Sequence, residues 1–383
     1  MKRRAVVVDD SVIARHLLRD WLEADGDLEV VGEAADGDAA IDVITRLRPH
    51  VATIDLRMPG MSGLDLVSYL MAKAPLPILV LTGEPTRDEA GRAFEAVRRG
   101  ALDLLIKPSA LDEEAIRSLR AHVRWLATVP VVRHIDSNRP EFAAATPSKP
   151  FRAAVDPPAV HVPQIASVPM FPTPPLPPVI PAVPRTGRAS GEPIVVGIAA
   201  SAGGPTALAN VLGSLSPDLP ISLAIVQHLP RGFAPSFVSF LQSRCSLTVR
   251  LAEAGTVPCP ATVVLAPDDH HLELIDGKFA LTNGPPVEGH RPAGTVLLRS
   301  LASLGNQAIG VVLSGIGRDG ADGLRAMRDR HAVTFAQDAS TSVVYGMPRA
   351  ALEEGGAQQV LPISEIGRAI AATALSPWRR RAT

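Results

Sequence analysis

Proline dominates the middle of this chain and divides it in two. Fifteen prolines fall between Pro130 and Pro184, and the periodicity typical of helices and strands disappears there. Because proline lacks a backbone N–H and fixes φ, helices and sheets cannot continue through such a segment. We therefore predict an extended, disordered linker over residues 126–192, either a spacer or a ligand for a proline-binding module. The 383-residue chain should then hold two domains, at residues 1–125 and 193–378.

Short apolar runs alternate with amphipathic stretches in the first 125 residues. This alternation predicts five parallel strands in a doubly wound α/β sheet. The amphipathic stretches include Val12–Leu22 and Asp88–Arg98. The expected strands are Ala5–Val8, Leu28–Val31, Val51–Ile54, Ile78–Leu81 and Leu102–Ile106.

Polar side chains follow four of these strands, namely Asp9, Asp10, Asp55, Thr82 and Lys107. In an open α/β sheet the carboxyl ends of the strands meet at one crevice, so these groups should share a site. Three crowded carboxylates favour a divalent cation such as Mg2+, and a lysine and a hydroxyl can hold phosphoryl oxygens on an aspartate. Any one of these acids alone could be a solvated strand end, but the set as a whole indicates a site.

Four segments resemble the response-regulator receiver family. They are V-V-V-D-D-S at 6–11, D-L-R-M-P-G-M-S-G at 55–63, L-T-G at 81–83 and K-P at 107–108. The resemblance implies that Asp55 accepts a phosphoryl group and that Asp9 and Asp10 help Asp55 to hold Mg2+. It implies Thr82 as the switch hydroxyl and Lys107 as the phosphate partner. Leu104 departs from the family, because many receivers carry an aromatic switch residue there, which puts signal propagation in doubt.

The strand and helix alternation resumes after the linker and predicts a second doubly wound α/β domain with a mostly parallel sheet. A hairpin is expected around Asp276-Gly277, and helices are expected after Pro205, Pro235, Arg299, Gly320 and Pro348. The expected strands are Ile194–Ile198, Ser222–Val226, Thr262–Leu265, Ala308–Leu313 and Val333–Ala336, with hairpin strands Leu272–Ile275 and Phe279–Leu281.

Ser201 lies at a strand-to-helix corner in this second domain. The run Ile194–Ile198 predicts a buried strand, the glycines after Ser201 permit a tight turn, and Pro205 suits the first turn of a helix. Such a corner exposes a hydroxyl near backbone N–H groups that could hold an oxyanion. The same pattern also fits a phosphate cradle or a structural turn.

Two further polar residues follow predicted strands of this domain. His228 comes directly after one strand, and Asp319 lies in a glycine-rich turn after another. With Ser201 they could form a catalytic triad in which histidine accepts the serine proton and aspartate orients the histidine. The spacing alone leaves open a structural histidine and a helix-capping aspartate. The order Ser, His, Asp differs from that of α/β-hydrolases.

Six motifs of this half resemble the chemotaxis methylesterase family, CheB. They are A-S-A-G-G-P at 200–205, Q-H-L-P at 227–230, A-P at 266–267, G-H-R-P at 289–292, S-G-I-G-R-D-G-A-D-G at 314–323 and Y-G-M-P at 345–348. The resemblance implies Ser201 as nucleophile, His228 as base and Asp319 as orienting acid, with backbone donors near Ala202 and Ile316 for the oxyanion. No cofactor is implied for this site.

The resemblance also implies a function. It is phosphorylation-activated hydrolysis of glutamate methyl esters on chemoreceptor helices, releasing methanol, with glutamine deamidation as a second activity and a CheA-type histidine kinase as phosphodonor. Ala199, Ala202 and the segment Ala293–Thr295 depart from the usual motifs, at positions that bear on substrate placement and deamidation. A catalytically silent, phospho-dependent scaffold is the alternative.

Composition limits the classes of partner and the cellular compartment that we expect for this chain. The formal net charge of −1 gives no general case for nucleic acid, and no apolar run approaches the ~18 residues of a membrane span. Two cysteines without metal spacing fit a reducing compartment, so we expect a cytoplasmic protein without membrane insertion. His270 and His271 resemble a metal pair, but without matched ligands we interpret them as a structural loop.

Overall fold

The computed structural model describes residues 2–83, 86–129 and 193–376. The predicted linker lies almost wholly outside these residues, and the domain boundaries at 125 and 193 stay predictions. The described residues form three sheets, of five, two and seven strands. Among them, no helix is long and apolar enough to cross a membrane.

The N-terminal part (residues 2–129) is the doubly wound α/β unit that the sequence predicts. Its sheet has the order β2-β1-β3-β4-β5, and every pairing is parallel. The elements are β1 (Arg3–Val8), α1 (Val12–Glu23), β2 (Leu28–Ala34), α2 (Gly37–Leu47), β3 (Val51–Asp55), α3 (Gly63–Lys73), β4 (Ile78–Thr82), α4 (Arg87–Arg98), β5 (Asp103–Ile106) and α5 (Glu113–Leu126).

Local sequence explains these elements well. Strands β3 and β4 are buried at every position, as central strands covered by helices on both faces must be. All five helices begin at a side chain that accepts a hydrogen bond from a first-turn N–H, which stabilises a helix end by about 1 kcal/mol. The capping residues are Ser11, Asp36, Ser62, Thr86 and Asp112.

The C-terminal part (residues 193–376) contains a seven-stranded sheet of order β14-β13-β12-β6-β7-β9-β8, parallel throughout, and a separate antiparallel hairpin β10–β11. The elements are β6 (Ile194–Ala200), α6 (Gly204–Gly213), β7 (Ile221–Gln227), α7 (Ala234–Gln242), β8 (Thr248–Leu251), β9 (Thr262–Leu265), β10 (His271–Ile275), β11 (Lys278–Thr282), α8 (Gly294–Leu301), a 3-10 segment (Ala302–Gln307), β12 (Ala308–Val312), α9 (Ala321–Asp329), β13 (Val333–Gln337), α10 (Met347–Glu353), β14 (Gln359–Leu361) and α11 (Ile363–Ala374).

Four features of this part differ from the sequence-based expectation. The short strands β8 and β14 and the helix α11 were not predicted, and α8 begins at Gly294 rather than after Arg299. Both missed strands lie at the edges of the sheet, where half-exposed residues leave a weak apolar pattern. The start of α8 lacks a local side-chain cap, because its N–H groups bind Asp319 from a distant segment.

The sheet reverses its direction of winding beside β6. The chain moves outward from β6 to β7 and later returns to place β12 on the other side of β6. Ligands of open α/β sheets bind at the carboxyl ends of strands at such a switch point. Ser201, His228 and Asp319 all follow strands of this group, so the topology brings their segments to one edge.

An aromatic cluster joins the N-terminal part to the C-terminal part. Phe94 of α4 is 2% exposed, and its ring centroid lies 5.1 Å from Phe237, 5.4 Å from Phe240 and 6.1 Å from Phe233. Such ring pairs contribute about 0.5–1.5 kcal/mol each beyond their buried area. Because α7 starts soon after His228, this cluster connects α4 to the helix that follows the predicted base.

Asp103 gives a testable property of the N-terminal fold. Burial raises the pKa of its carboxyl to about 6, although His122, 3.5 Å away, and the N–H of Leu104 oppose this. Since the folded-state pKa lies above its ordinary value, Asp103 costs stability as pH rises from about 4 to about 6. Over that window we expect Asp103→Asn to gain about 3 kcal/mol of unfolding free energy relative to wild type.

The measurement is urea unfolding of both full chains across this pH range. A pH-independent difference for Asp103→Asn would contradict the assignment of a raised pKa to Asp103.

Candidate active site

Ser201 stands at the predicted corner between β6 and α6. The turn is closed by a hydrogen bond from Gly204 N–H to the Ser201 carbonyl, at 2.8 Å, and Gly203 adopts φ +73. That positive φ is one that glycine adopts without strain. The Ser201 N–H donates to Ser314 O at 3.0 Å, which fixes the corner against the turn after β12.

Gln227 holds the nucleophile corner and the segment of the base together. It is 3% exposed, and its Nε2 donates to the carbonyls of Ser201, at 2.8 Å, and His228, at 3.0 Å. A side chain on Gly204 would collide with Gln227 Oε1, so only glycine fits there. Sequence reasoning assigned no role to Gln227, although its place beside His228 at the strand end was a signal.

Asp319 is almost wholly buried, at 1% exposure, and its two carboxylate oxygens accept four hydrogen bonds. Burial alone would raise its pKa, but the hydrogen bond and charge of His228 and the N–H groups of α8 lower that pKa to about 2. The carboxylate is therefore ionised at neutral pH. The donors are His228 Nε2 (2.8 Å), Gly294 N (2.5 Å), Thr295 N (2.8 Å) and Gly320 N (2.8 Å).

His228 is hydrogen-bonded to Asp319 through Nε2, which leaves Nδ1 as the nitrogen that can accept a proton. Nδ1 is buried and has no hydrogen-bond partner among the described residues. His228 lies beside β6, the strand that leads to Ser201. Ala200 pairs with Gln227, and the His228 N–H donates to Ala200 O. In this state the serine hydroxyl does not bond Nδ1, a contact that often tightens only with substrate bound.

Two backbone N–H groups are free at the same corner. Among the described residues, no hydrogen bond is made by the N–H of Ala202 or of Ile316. The turn that carries Ile316 packs on the nucleophile, since a Cβ built on Gly315 would lie 2.8 Å from the Ser201 Cβ. Ser314 Oγ ties the two turns together by donating to Ala202 O at 2.7 Å. Both N–H groups therefore remain candidates for oxyanion donors.

His271 is the first residue of β10, not part of the loop that the sequence predicted. It is 2% exposed, accepts a hydrogen bond from Ala293 N–H at Nδ1, and donates from Nε2 to Pro285 O at 3.1 Å. Both nitrogens are occupied, so His271 links the hairpin to the start of α8 and cannot serve as a metal ligand without breaking this link.

A second polar cluster lies at the carboxyl ends of β1, β3 and β5. Lys107 Nζ lies 2.7 Å from Asp9 Oδ2 and 2.8 Å from Asp55 Oδ2. Burial opposes the charge of Lys107, yet the hydrogen bonds of Asp55 and Asp9 outweigh it and raise the lysine pKa. Burial raises the pKa of Asp55, against the influence of Lys107. The predicted groups therefore do share a site.

The donor set of this cluster fits a hard divalent cation. Oxygens of Asp9, Asp10 and Asp55 lie within 4.8 Å of one another, and Asp10 is exposed while the other two are buried. Carboxylate oxygens at this spacing suit Mg2+. Thr82 Oγ1, at the end of β4, is buried and has no hydrogen-bond partner among the described residues, which leaves it free for a further oxygen.

Leu104, which stands where many receivers carry an aromatic switch residue, is packed in the core at 3% exposure. The exposed face next to the acidic cluster is instead shaped by an ion pair between Arg57 and Glu89 of α4, which the sequence reasoning did not include. Arg57, Glu89 and Lys107 line a cleft of about 330 Å3 beside Asp55.

Gly204 allows a test of the nucleophile corner. Gly204→Ala should force Gln227 from its place, because the added Cβ collides with Oε1, and overpacking of this kind costs roughly 1–3 kcal/mol. The measurement is the free energy of unfolding in urea. Gly284→Ala is the matched control, since its Cβ would meet His271 at an ordinary 3.5 Å. Equal stability of the two variants would contradict the close fit.

Comparisons with known proteins identify a family domain in each half of the chain. The family described as CheB methylesterase matches residues 196–370, and the response regulator receiver domain matches residues 5–118. A protein-glutamate methylesterase/protein-glutamine glutaminase of Anaeromyxobacter dehalogenans is 40% identical over 96% of both chains. A protein of the same name from Nitrosospira multiformis is 35% identical over 95% of both.

Among solved structures, the catalytic domain of Thermotoga maritima CheB methylesterase is 35% identical and covers 47% of this chain and 97% of its own, with a TM-score of 0.45. The relatives cover nearly the whole chain, and one family match falls in each half. This chain therefore belongs to the CheB methylesterase family, with a response regulator receiver domain ahead of the methylesterase domain.

Proposed function

We propose that this chain is a phosphorylation-activated protein-glutamate methylesterase that hydrolyses glutamate γ-methyl esters on chemoreceptor helices. The observation that carries the proposal is the buried His228–Asp319 pair beside the Ser201 corner at the switch point of the sheet. Relatives with this domain pair are named protein-glutamate methylesterase/protein-glutamine glutaminase, and we extend both activities to this chain.

The proposed reaction begins with attack of Ser201 Oγ on the ester carbonyl, while the hydroxyl proton passes to His228 Nδ1. The tetrahedral oxyanion is held by the N–H groups of Ala202 and Ile316, and ionised Asp319 stabilises the imidazolium. Collapse breaks the bond to the methoxy oxygen, which takes the proton from His228 and leaves as methanol. Water then attacks the acyl-enzyme through the same base and frees the glutamate and Ser201.

A glutamine side chain follows the same path with ammonia as the leaving group. His228 must then protonate the departing nitrogen, so deamidation depends more strongly on the imidazolium than ester hydrolysis does. The free N–H groups at Ala202 and Ile316 support both reactions equally, because backbone donors do not depend on the alanine side chain.

The receiver site supports control by phosphorylation. Asp55 would take the phosphoryl group from a CheA-type histidine kinase, and Lys107 would move from the carboxylates to a phosphoryl oxygen. Asp9, Asp10 and Asp55 would hold Mg2+, which supplies charge neutralisation when bound. Such a kinase and the cytoplasmic helices of receptors imply action in the cytoplasm.

The first prediction of this proposal concerns the triad. Ser201→Ala, His228→Ala and Asp319→Ala should each reduce methanol release from methylated receptor by roughly 10^3-fold or more, and double variants should be little worse because the three groups act as a unit. Circular dichroism of each variant is the folding control. Near-wild-type turnover by folded Ser201→Ala would refute the nucleophile assignment, and a folded wild type without any turnover would favour the silent scaffold.

The receiver also lies close to the nucleophile corner, which supports inhibition in the unphosphorylated state. Val343 packs against the receiver core, and a side chain on Gly203 would collide with Val343. Glu114 of α5 lies near Gly289, on the segment that carries His290. We infer that the receiver limits access to Ser201, and that phosphorylation at Asp55 would loosen it through α4.

The second prediction tests this control. Deletion of residues 1–125 and phosphorylation with acetyl phosphate should raise demethylation to a common ceiling, whereas Asp55→Ala should lose only the phosphodonor response. Phe94→Ala should raise basal activity by roughly 3- to 10-fold, because loss of the aromatic contacts weakens docking of the receiver. A loss of about 1.4 kcal/mol in docking free energy changes the docking equilibrium constant tenfold.

The control variant for Phe94→Ala is Tyr69→Ala, which truncates a 42% exposed aromatic residue on α3 of the same domain. Its basal activity should match wild type. Should the truncated enzyme be no faster than the unphosphorylated full chain, occlusion is excluded and activation through a receiver-made contact takes its place.

A further inference from the structure

A second histidine lies flat against the predicted base. The ring centroids of His228 and His290 are 3.7 Å apart, and the ring planes differ by 16°, so one face of the imidazole of His228 is covered by His290. His290 is half-buried and makes no side-chain hydrogen bond to the described residues. The contact between the two histidines is therefore one of ring faces.

His290 cannot replace His228 as the partner of Asp319. Each carboxylate oxygen of Asp319 already accepts two hydrogen bonds, so no lone-pair direction is left for a second imidazole. Only His228 is connected to the acid. A role for His290 must therefore act through the position of the His228 ring.

The charge state of His290 suits that role. Burial and the neighbouring His228 lower its pKa to about 4, and Asp319 only partly opposes them, so the ring is neutral at neutral pH. A neutral aromatic face attracts a cation above it, whereas a second imidazolium would repel it. His290 can thus lie against His228 both before and after His228 takes the serine proton.

The backbone holds the covering ring firmly. Val287 and His290 exchange two N–H to carbonyl hydrogen bonds, of 3.0 and 2.9 Å, and Arg291 Nη1 donates to Gly284 O. The next residues, Gly294 and Thr295, donate to Asp319. One short segment, residues 290–295, therefore supplies the ring over the base and the N–H groups on the acid.

We infer that His290 is a positioning residue whose stacked ring fixes the plane of the His228 imidazole, so that Nε2 stays on Asp319 while Nδ1 stays available to Ser201. The inference rests on the proposed esterase function. Only the flat face of the ring matters for it, and the ring nitrogens of His290 take no part.

Three substitutions in the full chain separate this role from others. His290→Phe keeps a flat ring without nitrogens, His290→Leu fills the space without a flat face, and His290→Ala leaves it empty. The assay is methanol release from a peptide that carries a glutamate γ-methyl ester, with acetyl phosphate and Mg2+ present. Thermal unfolding shows which variants fold. If the Ala variant is unfolded, the Leu variant still tests the need for a flat ring.

We expect His290→Phe to keep kcat within about threefold of wild type, with a matching pH profile above about pH 5, where His290 is neutral. His290→Leu and His290→Ala should lower kcat by roughly 10- to 100-fold with little change in KM, because a misplaced base slows the chemical step. The proton on Nε2 of His228, followed by NMR, should exchange faster with water in these two variants than in the Phe variant.

Two results would overturn the inference. A Phe variant as slow as the Ala variant would mean that the ring nitrogens act in the reaction, and a folded Leu variant as fast as wild type would mean that the flat face is not needed. Ser201→Ala in the same assay separates failure of the His290 role from failure of the proposed esterase function. If that variant is inactive and all three His290 variants are normal, only the role of His290 fails.

Discussion

The buried carboxylate of Asp319 is the interaction on which the catalytic half depends. It joins the turn after β12, the first turn of α8 and the histidine after β7, and each partner gives it a hydrogen bond. A buried ion without partners would be strongly destabilising, whereas one that accepts several N–H groups at a helix N-terminus is well compensated. The same four bonds that compensate the burial of the ion also keep it ionised, which is the state that the proposed reaction uses.

These bonds bear on the alternative that the sequence left open for Asp319. Helix cap and orienting acid had been two readings of one residue, and in the structure Asp319 has the contacts of both. The cap is supplied from 24 residues away in the chain, which is why the start of α8 carried no local signal and was placed wrongly. A local pattern predicts a helix end only when the capping side chain is also local.

Most of the fold was predictable because buried parallel strands leave continuous apolar runs, such as those of β6 and β7. The edge strand β14 was missed, since one exposed and two half-buried residues leave no such run. In the sites, strand-end residues such as Asp55 and Lys107 were found because topology gathers them. The stacking of His290 on His228 was not found, because contact between ring faces has no characteristic spacing in sequence.

The distance along the chain between the members of the site has a consequence for synthesis. His228 and Asp319 are 91 residues apart, so the pair closes only after most of the C-terminal half has been made. Domains generally fold as units during synthesis, beginning from the N-terminus. The receiver can therefore be complete while the esterase is still unformed, and the order of domains lets the regulator be present before there is any activity to restrain.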